Sequence, residues 1–198
     1  GSNGGVFSTG TGDINVTTVT TGAAVGIYAG GLFSSTSGNI SINSTFNGSG
    51  LTTALIGGTT ANYGTTLATT GGAGNININI SGTGTLGTGG VLLGTVATNT
   101  ANVLGISANG TGNVNLNITT SNANLATLRN AKINSGSGNV SLYGRDLSIA
   151  TTNISTTGSV DLNTTTNKLL ISNSSISSTG SGAISIDAAG NVSGSQSM

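Results

Sequence analysis

The chain has 198 residues, of which 35 are glycine and only 4% are charged, and it contains no proline, cysteine, histidine or tryptophan. A formal net charge of zero argues against the basic surfaces by which proteins hold nucleic acid or anionic membranes. The lack of cysteine excludes disulfides and thiolate metal sites. No apolar run approaches the roughly 18 residues of a membrane span, and no signal peptide is visible. We therefore expect a mature chain or a fragment whose core is filled by aliphatic side chains.

Seven short segments begin with glycine and continue as alternating polar and aliphatic residues. In chain order they start at Gly12, Gly38, Gly74, Gly112, Gly138, Gly158 and Gly182. Consecutive glycines are separated by 26, 36, 38, 26, 20 and 24 residues. A unit of about 20 to 50 residues that recurs along a chain is typical of solenoids, propellers and arrays.

Each unit divides into three short β runs separated by polar turns, as residues 159–165, 167–174 and 175–182 illustrate. This pattern predicts an all-β fold: one single-stranded parallel β-helix solenoid over residues 1–198, with about three strands per coil and seven to eight coils. Propeller blades would need four antiparallel strands, and leucine-rich repeats would need a more constant period. The two long units predict longer corner loops in the regions 45–72 and 81–110, with extra residues inserted at turns, such as 58–66 and 82–90.

A G-x-G-x-x-G pattern at Gly82, Gly84 and Gly87 follows the run NININI. In a dinucleotide site this loop would open a helix, and an acidic residue would follow about 20 positions later. The residues after Gly87 have no helical period, and no acidic residue lies between Asp13 and Asp146. The pattern therefore predicts a corner of the solenoid, not a nucleotide site.

Alternation along each segment sends aliphatic residues inward and polar residues outward. Two aliphatic columns are predicted to stack through the core. The first contains Ile14, Ile40, Ile76, Val114, Val140, Val160 and Ile184. The second contains Val16, Ile42, Ile78, Leu116, Leu142, Leu162 and Ile186.

The residue after each glycine forms a third, polar column. It runs through Asp13, Asn39, Asn75, Asn113, Asn139, Ser159 and Ala183. Its four asparagines are predicted to form a ladder of side-chain hydrogen bonds from coil to coil. Glycines are expected to supply the positive φ that the corners need.

Chemistry-bearing residues are few. The acidic residues are Asp13, Asp146, Asp161 and Asp187, and Asp161 shares its position in the unit with Ser185, so Asp187 does not stack on it. A polysaccharide-cleaving site would need two or more acids close together. We therefore predict no enzyme activity, no catalytic residue, and no cofactor or metal site.

Two further groups are weighed as binding surfaces. Arg129, Lys132 and Arg145 form the only basic cluster, which is typical of a solvated face and could alternatively contact an anionic glycan. The aromatic residues, including Tyr143, are scattered, and we expect them to fill the core or the corners in preference to forming a platform for sugars.

The run of residues 138–194 resembles the repeat region of filamentous-haemagglutinin-like exoproteins, the large bacterial adhesins secreted by two-partner systems; the resemblance is clearest from Gly112 onward. It implies a right-handed β-helical shaft that is secreted and displayed on a bacterial surface. Family members mediate attachment, biofilm formation or toxin delivery. The NPNG-type secretion motif of the family has no counterpart here, so the resemblance implies shaft and not secretion domain.

The expected function is a structural shaft or filament segment of a surface adhesin that supports attachment, aggregation or biofilm. Its expected partners are further copies stacked end to end or more of a larger chain, and a glycan or protein receptor on a host or bacterial surface. No nucleic-acid binding and no membrane insertion are expected. Two alternatives stay open: an ice-binding β-helix, which would need threonine pairs in register, and a polysaccharide-active β-helix enzyme or phage spike.

Overall fold

The computed structural model describes residues 5–21, 31–48, 54–56, 64–84, 91–94, 104–120, 126–166 and 168–195. These residues form twenty β-strands in three parallel sheets of seven, seven and six strands. No part of the chain that is described forms a helix long and apolar enough to cross a membrane. The predicted fold class is confirmed: the protein is all-β, a parallel β-helix with about three strands per coil.

The chain visits the three sheets in turn, and each visit to all three makes one coil. The first sheet contains β1 (Gly5–Thr9), β3 (Gly31–Ser35), β6 (Thr65–Thr69), β9 (Leu104–Ala108), β12 (Ala131–Ser135), β15 (Asn153–Thr156) and β18 (Ser175–Ser178). The second contains β2 (Ile14–Thr20), β4 (Ile40–Phe46), β7 (Ile76–Gly82), β10 (Val114–Thr120), β13 (Val140–Gly144), β16 (Val160–Thr164) and β19 (Ile184–Ala188). The third contains β5 (Ala54–Ile56), β8 (Val91–Gly94), β11 (Ala126–Arg129), β14 (Leu147–Ala150), β17 (Leu169–Ser172) and β20 (Val192–Ser195).

Strands of the second sheet pair in the register that the glycine spacing predicts. Ile14 faces Ile40, Ile40 faces Ile76, and the pairing continues without a slip to Ile184. The described strands make seven coils, and at about 4.8 Å per coil the stack is about 30 Å long.

The core lies inside the coil, where inward side chains from the three sheets meet. Ile40, Ile76 and Val140 in the second sheet have no exposed surface, and neither do Ile133 of the first sheet and Ile149 of the third. Each such side chain stabilises the fold by about 1.5–3 kcal/mol relative to its exposed state. Stacked aliphatic residues therefore hold the solenoid together with few aromatic rings.

The two predicted columns reach the last coil, but their last members are not core residues. Ile184 and Ile186 are each 46% exposed, and Val16 in the first coil is only half buried. An inward side chain is covered by the coil on either side of it. In the outermost described coils, the described residues provide a covering coil on one side only.

The predicted corner loops need correction where the structure describes them. Region 45–72 contains β5 and β6, and region 81–110 contains β8 and β9. The predicted insertion at 58–66 overlaps β6 at Thr65 and Thr66, and the insertion at 82–90 begins at the last residue of β7. The remainder of both insertions, apart from residues 64, 83 and 84, lies outside the described residues.

The positive φ predicted for glycines at the corners occurs at Gly72 and Gly110, between the first and second sheets, but not at the seven repeated glycines. They lie at the corner between the first and second sheets, here called the first corner, where successive coils approach closely. A Cβ on Gly112 would lie 2.0 Å from the carbonyl oxygen of Gly74, and a Cβ on Gly138 would lie 2.0 Å from that of Gly112. From Gly38 onward, lack of space and not backbone conformation excludes other residues at the repeated glycines. Gly12 differs, since a Cβ there would meet only Thr9, at 3.8 Å.

Candidate functional site

A ladder of side-chain oxygens runs along the outside of the first corner. The backbone N–H of Asn75 donates to Oδ1 of Asn39 at 3.0 Å, and that of Asn113 donates to Oδ1 of Asn75 at 2.8 Å. The N–H of Asn139 donates to Oδ1 of Asn113 at 2.7 Å. Asp13 and Ser159 extend the ladder, because the N–H of Asn39 donates to Oδ1 of Asp13 at 2.7 Å and that of Ser159 to Oδ1 of Asn139 at 2.9 Å.

Each of these hydrogen bonds thus satisfies a backbone N–H at the corner that has no partner within the sheets. An asparagine or aspartate is needed because its side-chain oxygen reaches the N–H one coil further along. The four predicted ladder asparagines therefore lie where the sequence places them, but in most of their hydrogen bonds a backbone N–H donates to the side-chain oxygen. The ladder is structural, since its acceptors are occupied by the protein itself.

Hydroxyl groups form a second ladder inside the same corner, which the sequence analysis missed. Buried Ser35, Ser135 and Thr156 donate to the carbonyl oxygens of Gly12, Gly112 and Gly138 at 3.0, 2.8 and 2.6 Å. These hydroxyls satisfy carbonyl groups that face the core. Their sequence signal is a serine or threonine shortly before a repeated glycine, but the number of intervening residues varies from coil to coil.

The outer face of the second sheet carries two further polar columns, one on each outward position of the strand. Amide groups bond along both of them: Nδ2 of Asn79 donates to Oδ1 of Asn43 at 2.9 Å, and Nδ2 of Asn115 donates to Oδ1 of Asn77 at 2.9 Å. This face is regular because its strands are stacked in register without a bulge. It offers regularly spaced hydrogen-bonding groups to solvent.

Tyr143 interrupts this amide face. It lies on β13 between the buried Leu142 and Gly144, points outward, and is 41% exposed. Its neighbours on the adjoining strands are Asn117 and Asn163. The expectation that the aromatic residues fill the core or corners is therefore wrong for Tyr143, although it describes the buried Phe33 and Phe46. Tyr28 and Tyr63 lie outside the described residues.

The four acidic residues are distributed over different parts of the molecule. Asp13 belongs to the first-corner ladder, and Asp146 accepts the backbone N–H of Lys168 at 3.0 Å at the corner between the second and third sheets. Asp161 and Asp187 both lie on the outer face of the second sheet, on neighbouring strands and two positions apart, because Asp161 pairs with Ser185. Among the described residues no group of three or more metal-ligating side chains could hold a metal ion.

The three residues of the predicted basic cluster do not share one face. Arg129 ends β11 in the third sheet, whereas Lys132 points outward from β12 in the first sheet. Arg145 lies in the turn between the second and third sheets, where its Nε donates to the hydroxyl of Thr166 at 3.2 Å. A shallow groove of about 350 Å³ runs past Lys132 along the corner between the third and first sheets, and polar and small residues line most of it.

Comparison with family models, with curated proteins and with solved structures finds no match to this chain. Function must therefore be argued from the surface itself.

Threonine does not form the paired outward columns that an ice-binding face would need. On the second sheet, the column that contains Tyr143 has threonine only at Thr17, and within the described residues the buried threonines, such as Thr69, Thr156 and Thr164, point inward. What the described surface offers is regular polar ladders and two exposed aromatic rings, Tyr143 on the outer face of the second sheet and Phe7 in the first coil.

Proposed function

We propose that this chain is a segment of the structural shaft of a secreted bacterial surface adhesin, and that it supports attachment, aggregation or biofilm by end-to-end stacking. The observation that carries the proposal is the unbroken parallel pairing in all three sheets, over seven described strands in two of them and six in the third. Such a stack is stiff and can be lengthened by adding coils without a change of cross-section. The sequence resemblance to filamentous-haemagglutinin-like exoproteins supports the same role and supplies the surface location.

Stacking is supported by the outermost described coils. Ile184 and Ile186 present inward, core-type positions that are 46% exposed, and in the first coil Phe7 is 55% exposed although it stacks on Phe33 with a ring distance of 5.0 Å. Burial of these side chains under a further coil would remove apolar surface from water. Unpaired strand edges at the same places would gain hydrogen bonds.

Electron microscopy over a range of protein concentrations tests the stacking. We expect uniform unbranched fibres one coil wide that lengthen as the concentration rises. Ile186→Lys should abolish the fibres, because it places a charge in the apolar contact. Ser185→Lys is the matched control, since it adds the same charge to the outer face of the same strand and should leave fibres intact.

Isolated short rods from the wild-type chain at every concentration would overturn self-assembly and leave a shaft that is continuous within one longer chain. Surface display is tested separately by labelling cells of the source organism with antibodies to the chain. Label on intact cells or in the medium is expected, and label only after lysis would contradict the proposed location.

A further inference from the structure

The outward face around Tyr143 has features that a structural shaft does not require. The other six residues of the column that contains Tyr143 are polar: Thr17, Asn43, Asn79, Asn117, Asn163 and Asp187. Tyr143 separates Asn117 from Asn163 by two strand spacings, about 9.6 Å, so the two amides cannot bond to each other. An exposed aromatic ring therefore interrupts a column of polar side chains.

The groups that surround the ring are hydrogen-bonding and acidic. Asn117 and Asn163 lie directly across the strands, and Asp161 lies diagonally beside Tyr143 on β16. Asp187 follows next to Asn163 on β19. Amides provide donors and acceptors together, whereas carboxylates only accept. An exposed ring flanked by such groups on a regular β-sheet face fits a ligand that has an apolar face and a rim of hydroxyl groups.

We propose that this face binds an extended neutral carbohydrate chain, with the ring of Tyr143 against the C–H face of one sugar. The negative face of an aromatic ring attracts the slightly positive hydrogens of such C–H groups. Asn117, Asn163 and Asp161 would then bond to hydroxyl groups at the edge of the sugar. Sugars with equatorial hydroxyls, as in β-linked glucans, present the flattest C–H face.

The charge of the face selects among carbohydrates. Asp161 and Asp187 add two negative charges, and no lysine or arginine lies on the described strands of this sheet. Polymers of uronic acids are therefore disfavoured by repulsion. This activity extends the proposed shaft role and does not rest on it, because the site lies on the side of the stack and not at its ends.

The test is titration of the intact chain with cellohexaose and laminarihexaose, followed by calorimetry and by the NMR signals of the Tyr143 ring, with hexagalacturonate as the anionic probe. We expect roughly millimolar or tighter binding of at least one neutral hexasaccharide and at least a roughly tenfold weaker affinity for hexagalacturonate. Tyr143→Phe should retain binding within about threefold, since it keeps the ring.

Tyr143→Asn is the decisive variant, because it should restore a continuous amide column and so preserve the fold. We expect it to weaken binding at least roughly tenfold while rods or fibres look unchanged in the electron microscope. Asn153→Ala, exposed on the first sheet, is the matched control and should bind like the wild type. Failure of the wild type to bind either neutral hexasaccharide, or full binding by Tyr143→Asn, overturns the site; equal binding of hexagalacturonate overturns its preference for neutral chains.

Discussion

At the scale of single residues, the first corner depends on glycine for space. Gly112 is buried, and its missing side chain allows Gly74 in the preceding coil to approach. Gly112→Ala should lower the free energy of unfolding by about 2–3 kcal/mol, since the backbone must move to relieve the overlap. Denaturant melts of this variant and of Gly10→Ala provide the comparison, because a Cβ on Gly10 would meet nothing within 4 Å. Equal midpoints for the two variants would show that the close approach is not needed.

The ladder oxygens can be tested in the same way. Asn113→Ala removes the acceptor for the N–H of Asn139, which lies 2.7 Å away, and should cost about 1 kcal/mol of stability. Asn113→Asp keeps an oxygen at that place, as Asp13 does naturally for Asn39, and should fall close to the wild type. If aspartate destabilises as much as alanine, hydrogen bonding is not the reason for the column.

At this scale the sequence predicted where the structural residues lie, but not always why those residue types are needed there. Asn39 and its counterparts are recognisable because each follows a repeated glycine by one residue. The corner hydroxyls have no such fixed offset: Ser35 precedes its glycine by three residues, Thr156 by two and Thr69 by five. The left-handed φ of Asn130, Thr151 and Asn173, near 50° in each, lies at the corner between the third and first sheets and not at the glycine corner. Only the stacked coils show that these three residues are equivalent.

At the scale of elements, one strand of the first sheet and one of the second illustrate how a polar residue is tolerated inside the coil. Thr156 and Thr164 are each 3% exposed, but their hydroxyls differ. The hydroxyl of Thr156, at the end of β15, donates to Gly138 and accepts the N–H of Gly158. The hydroxyl of Thr164, at the end of β16, is buried with no hydrogen-bond partner among the described residues.

Replacement by valine, which has nearly the same shape, should therefore have opposite effects at the two positions. Thr164→Val is expected to raise the free energy of unfolding by about 1 kcal/mol, because it removes an unsatisfied buried hydroxyl. Thr156→Val is expected to lower it by about 1–2 kcal/mol, because two backbone groups lose their partner. Thermal or denaturant melts of both variants test this expectation. A loss of stability in Thr164→Val would mean that the hydroxyl of Thr164 has an acceptor in solution.

Element type and register were predictable from the alternation that follows each glycine, since one side of every strand must be apolar. The outward position of Tyr143 follows from the same alternation, because it is one residue after Leu142 in a strict inward–outward pattern. The exposure of its side chain was not predicted, because the few, scattered aromatic residues were expected to fill the core or the corners. The burial of Ile184 and Ile186 was overestimated. Alternation indicates which side chains point inward, but it does not show whether a further coil covers them.

At the scale of the whole molecule, stability should vary along the stack. Strands β13 and β16 have a paired strand on both sides, whereas β18, β19 and β20 have one on a single side within the described chain. Local opening is easiest where fewer contacts must break. Hydrogen–deuterium exchange with mass spectrometry on dilute protein should find slow exchange in 140–164 and fast exchange in 175–195. Uniform protection under conditions where the chain is shown to be monomeric would contradict this gradient.

The direction of the Asn ladder has a consequence for growth. In every rung the side chain of one coil accepts and the backbone of the following coil donates, from Asp13 to Ser159, and all strands run parallel. The two ends of the stack are therefore chemically unlike, as the two ends of a screw are. In the proposed fibre, rods that continue the ladder and the parallel sheets would join head to tail, so the fibre would have a polarity. One end would be held at the cell while the other extended, and the polarity of the stack would set the direction in which the fibre leaves the cell.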